Sequence, residues 1–274
     1  MKNLKRISAV ILVLLGVFAC EKDENKPDEG GIVTLETLSG KWVVEGAGEY
    51  QSFEFNESGN YIIVRNTPGG SLYQNPVAKT NEQIVFFGSF TIANNRILNL
   101  SDFGTIKDIS INGDIITFTL LVNGNPNKEL RIHALKQDEM PQSTRTELLC
   151  RTWELVTLDG ENVVGTPYEL TVVYSAAGTY FVSFVNPADE DSGGLAQWKW
   201  KDEDEVTFCY SWDGAPECDG DNSVEILELS ATRLKMAEGE TIYELKPLTT
   251  TPSAARKTIS VPVDVEMNSG VFKK

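Results

Sequence analysis

The segment LSGKW (38–42) is followed 111 positions later by LCRTW (149–153), and each copy opens a run in which apolar and polar residues alternate. From Trp42 to Lys136 is 94 positions, and from Trp153 to Lys246 is 93. A period near 100 residues means tandem domains, because solenoid repeats run at about 20–50 residues. Between these anchors FEFNESGNY (53–61) matches LTVVYSAAGTY (170–180), so that Phe53, Phe55, Gly59 and Tyr61 meet Val172, Tyr174, Gly178 and Tyr180. Further on, DISINGDIITF (108–118) lies opposite LELSATRLKM (227–236), and IHALK (132–136) opposite IYELK (242–246). The first hairpin of the second copy carries an insertion.

Apolar residues recur at every second position, as in Ile84, Phe86, Phe90 and Ile92 of the first copy and Val206, Phe208, Tyr210 and Trp212 of the second. That period places one strand face in a core and the other toward water. No run of a dozen residues after the N-terminal segment has helical periodicity. Gly, Asn and Asp punctuate at short intervals (NESGN, ANN, INGD, NGNPN), which is the turn chemistry of hairpins. About eight short strands fit in each copy, a number that closes as an up-and-down barrel and leaves no edge exposed.

Gly40-Lys41-Trp42 on the first strand, then a Phe-x-Phe hairpin with Gly at its turn and a last strand ending near Lys136, resembles the bacterial lipocalin-like domains. The resemblance implies an all-β chain of two tandem antiparallel eight-stranded lipocalin-like β-barrels, at 38–140 and 148–248. It also implies that Trp42 and Trp153 are structural plugs at the closed ends. Arg151 stands where the pattern has Gly, and the later lipocalin motifs have no counterpart in either copy. Two β-sandwiches are therefore the alternative architecture.

At the N-terminus Lys2, Lys5 and Arg6 precede an apolar stretch from Ala9 to Ala19 that ends at Cys20. The stretch is too short to cross a hydrocarbon core, which needs ~20 residues, and residues 1–19 read as a signal peptide. Val17-Phe18-Ala19-Cys20 resembles the lipobox of bacterial lipoproteins, which implies acylation of Cys20 and the lipid bilayer as a partner. Each buried acyl methylene contributes roughly 0.8 kcal/mol, so two or more chains anchor stably. Residues 20–37 begin CEKDENKPDEGG, charged and without apolar periodicity, and form a flexible tether. Glu21-Lys22-Asp23-Glu24 resembles the surface-export signal of Bacteroidota lipoproteins and implies the outer face of the outer membrane.

Without residues 1–19 the chain keeps 21 Lys and Arg against 40 Asp and Glu, a net charge of −19. A field of that sign repels phosphate backbones and excludes nucleic acid as an expected partner. The single histidine, His133, leaves no Ser-His-Asp or multi-His metal site to consider, and it reads as an outward-facing strand residue. No catalytic residue, cofactor or metal is assigned. CDGDNSVE (218–225) gathers Asp219, Asp221, Asn222 and Glu225 without the spacing of an EF-hand and reads as an acidic loop. KDEDE (201–205) reads as a charged turn.

Asp213-Gly214 within CYSWDGAPEC (209–218) is a two-residue hairpin signal. Centring a hairpin there pairs Trp212 with Ala215 and Cys209 with Cys218, with Cα atoms ~4.5 Å apart. A Cys209–Cys218 disulfide is expected on the oxidising route of export, with Cys150 free. Aromatic residues concentrate in the second copy, and Tyr180, Trp198, Trp200, Phe208, Tyr210 and Trp212 are the candidate ligand-binding residues, Trp212 being the one beside the turn and facing solvent. Core packing is the simpler account of the same residues. The tail, 249–274, alternates through Ile259, Val261, Val263 and Val265, a pattern for pairing along a sheet edge that Pro262 weakens.

These features read as a non-enzymatic, membrane-anchored surface lipoprotein that acts as a binding module for a small apolar ligand or glycan in its second domain. The alternative is a partner-binding component of a surface protein complex. A glycoside hydrolase built on two carboxylates stands third.

Overall fold

Strand-forming segments separated by Gly- and Asn-containing turns leave the chain little choice but to pair neighbour with neighbour. The computed structural model describes residues 32–66, 83–124, 128–185, 193–212, 214–219 and 222–248 and the backbone of 257–261. The signal segment, Cys20 and most of the tether lie outside the described residues. A one-turn helix α1 (Leu35–Leu38) leads into β1 (Gly40–Val44), β2 (Tyr50–Phe55), β3 (Asn60–Asn66), β4 (Gln83–Ala93), β5 (Ile97–Leu100), β6 (Gly104–Asn112), β7 (Ile115–Val122) and β8 (Glu129–Lys136). Each strand pairs antiparallel with the next, and β8 returns to β1 with Lys136 opposite Trp42. The ring is closed, which rules out the sandwich.

The second copy repeats the scheme. Helix α2 (Thr144–Leu149) precedes β9 (Thr152–Leu158), a two-residue β10 (Glu161–Asn162), β11 (Leu170–Tyr174), β12 (Thr179–Phe184), β13 (Gly193–Trp200), β14 (Thr207–Ser211), β15 (Ser223–Leu229), β16 (Leu234–Glu238) and β17 (Thr241–Pro247). Pairing of β17 with β9 closes eight strands, and β10 is the inserted hairpin strand lying outside that ring. The chain is therefore two closed, eight-stranded antiparallel barrels.

Strand register gives the equivalence of the copies residue by residue. Trp42 faces Phe53 and Trp153 faces Val172; Gly59 and Gly178 hold the next turn at φ 78° and 80°. The final strands differ from the sequence alignment by one residue. Lys136 faces Trp42, whereas Pro247, not Lys246, faces Trp153.

Both tryptophans are buried, and their indole N–H groups donate to the helix before them, Trp42 to Leu38 O at 2.8 Å and Trp153 to Leu149 O at 2.9 Å. In barrel 1 the Lys136 ammonium stands 6.0 Å from the Trp42 ring. Gly40 takes a φ of +122°, which a residue with a Cβ rarely adopts, and a Cβ there would stand 2.5 Å from Lys136 Cε and 2.7 Å from Glu139 Oε1. In barrel 2, with proline at the lysine's place, Arg151 supplies the cation from the first-strand side, 5.5 Å from the Trp153 ring. The departure from the Gly pattern thus preserves a cation over the ring.

Two cores fill the two barrels. A third, smaller cluster corrects the expectation that every strand turns one face to water. Ile62, Val64 and Val85 of barrel 1 are buried against Val173 and Phe181 of barrel 2, and the Phe87 and Phe181 rings lie 5.2 Å apart. Strands β3, β11 and β12 are apolar on both faces because the barrels pack on each other, as in a doubly covered sheet.

Polar contacts frame this cluster. Thr152 donates to Asn60 Oδ1 at 2.9 Å, and Asn56 Nδ2 donates to Thr152 Oγ1 at 3.2 Å. Lys41 Nζ donates to Thr179 Oγ1 at 3.3 Å. The connecting segment is fastened too, since Gln137 Nε2 and Met140 N donate to Ala177 O and Ala176 O, each at 2.8 Å.

Two further expectations change, those for the cysteine hairpin and for KDEDE, and the tail pairs along a strand as expected. Cys209 and Cys218 are bonded with Cα atoms 5.4 Å apart, but not within a two-residue hairpin. Strand β14 ends at Ser211, and its ladder partner is β15, with Cys209 opposite Ser223; the bridge closes a loop that leaves the sheet, and Asp213 lies outside the described residues. KDEDE is a turn between β13 and β14, yet Glu205 is not simply solvated. It accepts from Ser143 Oγ at the start of α2, and its carbonyl accepts from Arg145 Nε at 2.7 Å. The tail segment β18 (Lys257–Val261) pairs antiparallel with β4, Lys257 opposite Phe87; Pro262 and the residues after it lie outside the described residues.

Candidate functional site

In an up-and-down barrel alternate connections share an end. The end of barrel 2 that holds Trp153 also holds the β11–β12, β13–β14 and β15–β16 turns, while the connections after β9, β14 and β16 lie at the other end. This divides the six aromatic residues predicted from sequence. Trp198, Trp200 and Phe208 belong to the Trp153 end: the Trp198 indole donates to Ser175 O of the β11–β12 turn, and that of Trp200 to Thr146 Oγ1 of α2, each at 2.9 Å. Trp198 and Phe208 are buried, and the Trp198 and Trp200 rings meet edge to face at 5.2 Å. These three pack the base.

Tyr180, Tyr210 and Trp212 lie together farther along. The Trp212 ring is 5.5 Å from Tyr180 and 6.2 Å from Tyr210, and Tyr180 is 5.9 Å from Tyr210. Trp212 does not face solvent as expected but is half-buried against the barrel core. It sits inside the loop that the Cys209–Cys218 bridge closes.

Beside it is a carboxylate that the sequence reading passed over. Glu238, the last residue of β16, accepts from the Tyr210 hydroxyl at 2.6 Å and from Tyr243 at 3.5 Å. The Tyr174 hydroxyl points at Met236 Sδ, 3.8 Å away, and its ring stacks on Tyr180 at 5.0 Å. Burial holds the hydroxyls of Tyr174, Tyr180 and Tyr243 well above the ordinary tyrosine range, so all three are neutral donors at neutral pH.

The same positions in barrel 1 are apolar. Register places Tyr174 where barrel 1 has Phe55, Tyr210 where it has Leu100, Tyr243 where it has Ile132, and Glu238 where it has Leu120. All four barrel 1 residues are buried. At these four positions one unit has hydrocarbon side chains, and its duplicate carries three hydroxyls and a carboxylate. The signal for Glu238 was present, since Leu234, Met236 and Glu238 share a face by the strand period, but among 40 acids it had no other mark.

The chain has five tryptophans, and four indole N–H groups have acceptors at 2.8–2.9 Å. The fifth, Trp212 Nε1, is buried with no hydrogen-bond partner among the described residues. His133 is outward-facing as expected, with Nδ1 2.7 Å from Glu45 Oε2. In the acidic loop Asp221 lies outside the described residues, and no group of three or more metal-ligating side chains is gathered among the described ones. No protein-family model matches the chain, and no curated protein matches it.

Proposed function

We propose that the protein is a surface lipoprotein, anchored to the outer membrane through acylated Cys20, in which barrel 1 is a scaffold and barrel 2 a binding module. The observation that carries this reading is the Glu238–Tyr210–Tyr243 group at interior positions that barrel 1 fills with Leu120, Leu100 and Ile132. Placing polar groups in a barrel interior costs stability unless each is hydrogen-bonded, and such departures from a well-packed interior concentrate at functional sites. The ligand is small and contacts the end of barrel 2 opposite Trp153, where Trp212 and Glu238 are reached from outside. Tryptophan fluorescence of the mature protein, titrated with laurate, haem and neutral oligosaccharides, tests it: a saturable change with one of them supports the reading, and silence with all of them overturns it.

A second reading, attachment to a surface complex, rests on Val43, Leu135 and Ile115, which lie in register on neighbouring strands and are 37%, 40% and 39% exposed. The matching pair in barrel 2 is Glu154 and Lys246, joined at 3.3 Å. Loss of a stoichiometric membrane partner in V43S/L135S would support it.

A further inference from the structure

We propose that the ligand of barrel 2 is a neutral sugar, bound with a pyranose ring against Trp212, one hydroxyl accepting from the Trp212 indole N–H and another donating to Glu238. The proposal rests on barrel 2 being the binding module, and it names the class of ligand from four observations.

Trp212 Nε1 is the one indole N–H of the five without an acceptor among the described residues. A buried donor left unpaired costs about 1–3 kcal/mol, so a ligand that offers an oxygen there gains from it. A hydrocarbon tail or an ammonium group offers none. Glu238 is acceptor-only when ionised, so the ligand must also bring a donor.

Hydroxyl groups are both donor and acceptor, and a pyranose carries several around an apolar C–H face. That face matches the half-buried ring of Trp212 at the outer end of barrel 2, which is backed by the buried ring of Tyr180 5.5 Å away. Finally, a mature chain with 21 cations against 40 anions repels carboxylates and phosphates from a mouth that already contains Glu238. Fatty acids and nucleotides are disfavoured, and uncharged ligands are not.

The five indole N–H resonances of the full mature chain, labelled with nitrogen-15, give the test. The protein is titrated separately with maltohexaose, cellohexaose, mannohexaose and laurate, and W212F assigns the Trp212 resonance while the other four report that the fold is intact. The expected result is a saturable shift of the Trp212 resonance with at least one of the three hexasaccharides. Binding of that sugar weakens by about tenfold in E238Q, the loss expected for one good hydrogen bond. Movement of Trp212 with laurate but with no hexasaccharide overturns the sugar assignment and leaves the binding module standing. A hexasaccharide that shifts other resonances and leaves Trp212 in place also overturns it. If none of the four compounds moves any resonance, both readings fall.

Discussion

Thr152 of barrel 2 donates to Asn60 of barrel 1 at 2.9 Å, and the residues at the same places with the barrels exchanged, Lys41 and Thr179, are joined at 3.3 Å. Lys41 precedes Trp42 as Thr152 precedes Trp153, and Asn60 follows Gly59 as Thr179 follows Gly178. The two barrels therefore meet about an approximate twofold axis, each using the same patch, which is the arrangement of an isologous dimer within one chain. T152V strands the buried Asn60 oxygen and should cost about 1–3 kcal/mol. K41M, on a partly exposed lysine, should cost under about 1 kcal/mol. Urea unfolding of the two variants checks the asymmetry.

At Glu54 the approximate symmetry is broken at a cost. Glu54 is 4% exposed, its Oε1 has no hydrogen-bond partner among the described residues, and its counterpart in barrel 2 is Val173, buried in the inter-barrel cluster. E54V should raise stability by about 1–2 kcal/mol, and V173E should lower it by more. A lower melting temperature for E54V than for the wild type would contradict this.

Gly40 and Arg151 stand at the same place in the two copies but should respond differently to alanine. G40A puts a Cβ on a residue held at φ +122° and should cost about 1–3 kcal/mol. R151A removes a cation from a ring face and should cost about 0.5–1 kcal/mol. Equal losses in chemical denaturation would contradict the assignment of backbone strain to Gly40 and of a ring contact alone to Arg151.

The Cys209–Cys218 bridge holds the loop carrying Trp212 over the tyrosines. C209S/C218S should lower stability by roughly 2–3 kcal/mol and shift Trp212 emission to longer wavelength as the ring becomes wet. Burial first, and then the charge of Glu54, push the Cys150 thiol far up, so thiol reagent should leave Cys150 unmodified in the native protein at pH 8 and label it on unfolding.

Burial raises the hydroxyls of Tyr174 and Tyr180 well above their usual range and pushes Tyr50 up to about 12. In the unfolded chain these groups ionise near 10. Their contribution to stability is full below that pH and is lost as pH rises through the raised folded values, because there the unfolded state has released protons that the native state still holds. Tyrosinate absorbance should therefore rise in a cooperative step together with loss of the β-sheet circular dichroism, at pH above about 10. Independent ionisation of all the tyrosines before unfolding would contradict it.

Much of the architecture was legible because alternation is local. The Trp42 and Trp153 segments, the Gly59 and Gly178 turns and the strand count per copy follow from the period-two pattern and turn chemistry. What the sequence did not disclose depends on partners distant along the chain. The apolar runs at Tyr61–Val64 and Tyr180–Val182 were visible, but only packing shows that Ile62 and Phe181 face the other barrel. Asp213-Gly214 favours a tight hairpin, yet the competing pairing of β14 with β15 and the short tether between the two cysteines prevail. Of the candidate site, Tyr180, Tyr210 and Trp212 were named in advance. Glu238 and Tyr243 were not, because their departure from apolar character shows only beside Leu120 and Ile132, which the register aligns and sequence spacing does not.

The central claim, that the polar groups of barrel 2 at the positions of Leu100, Leu120 and Ile132 serve binding, is tested most directly by isothermal titration of wild type, E238L and L120M with the hexasaccharide that binds best. The account predicts that E238L, which gives barrel 2 the residue type of barrel 1, loses at least about tenfold in affinity, and that L120M binds as the wild type does. Unchanged affinity in E238L, or an equal loss in L120M, would contradict it.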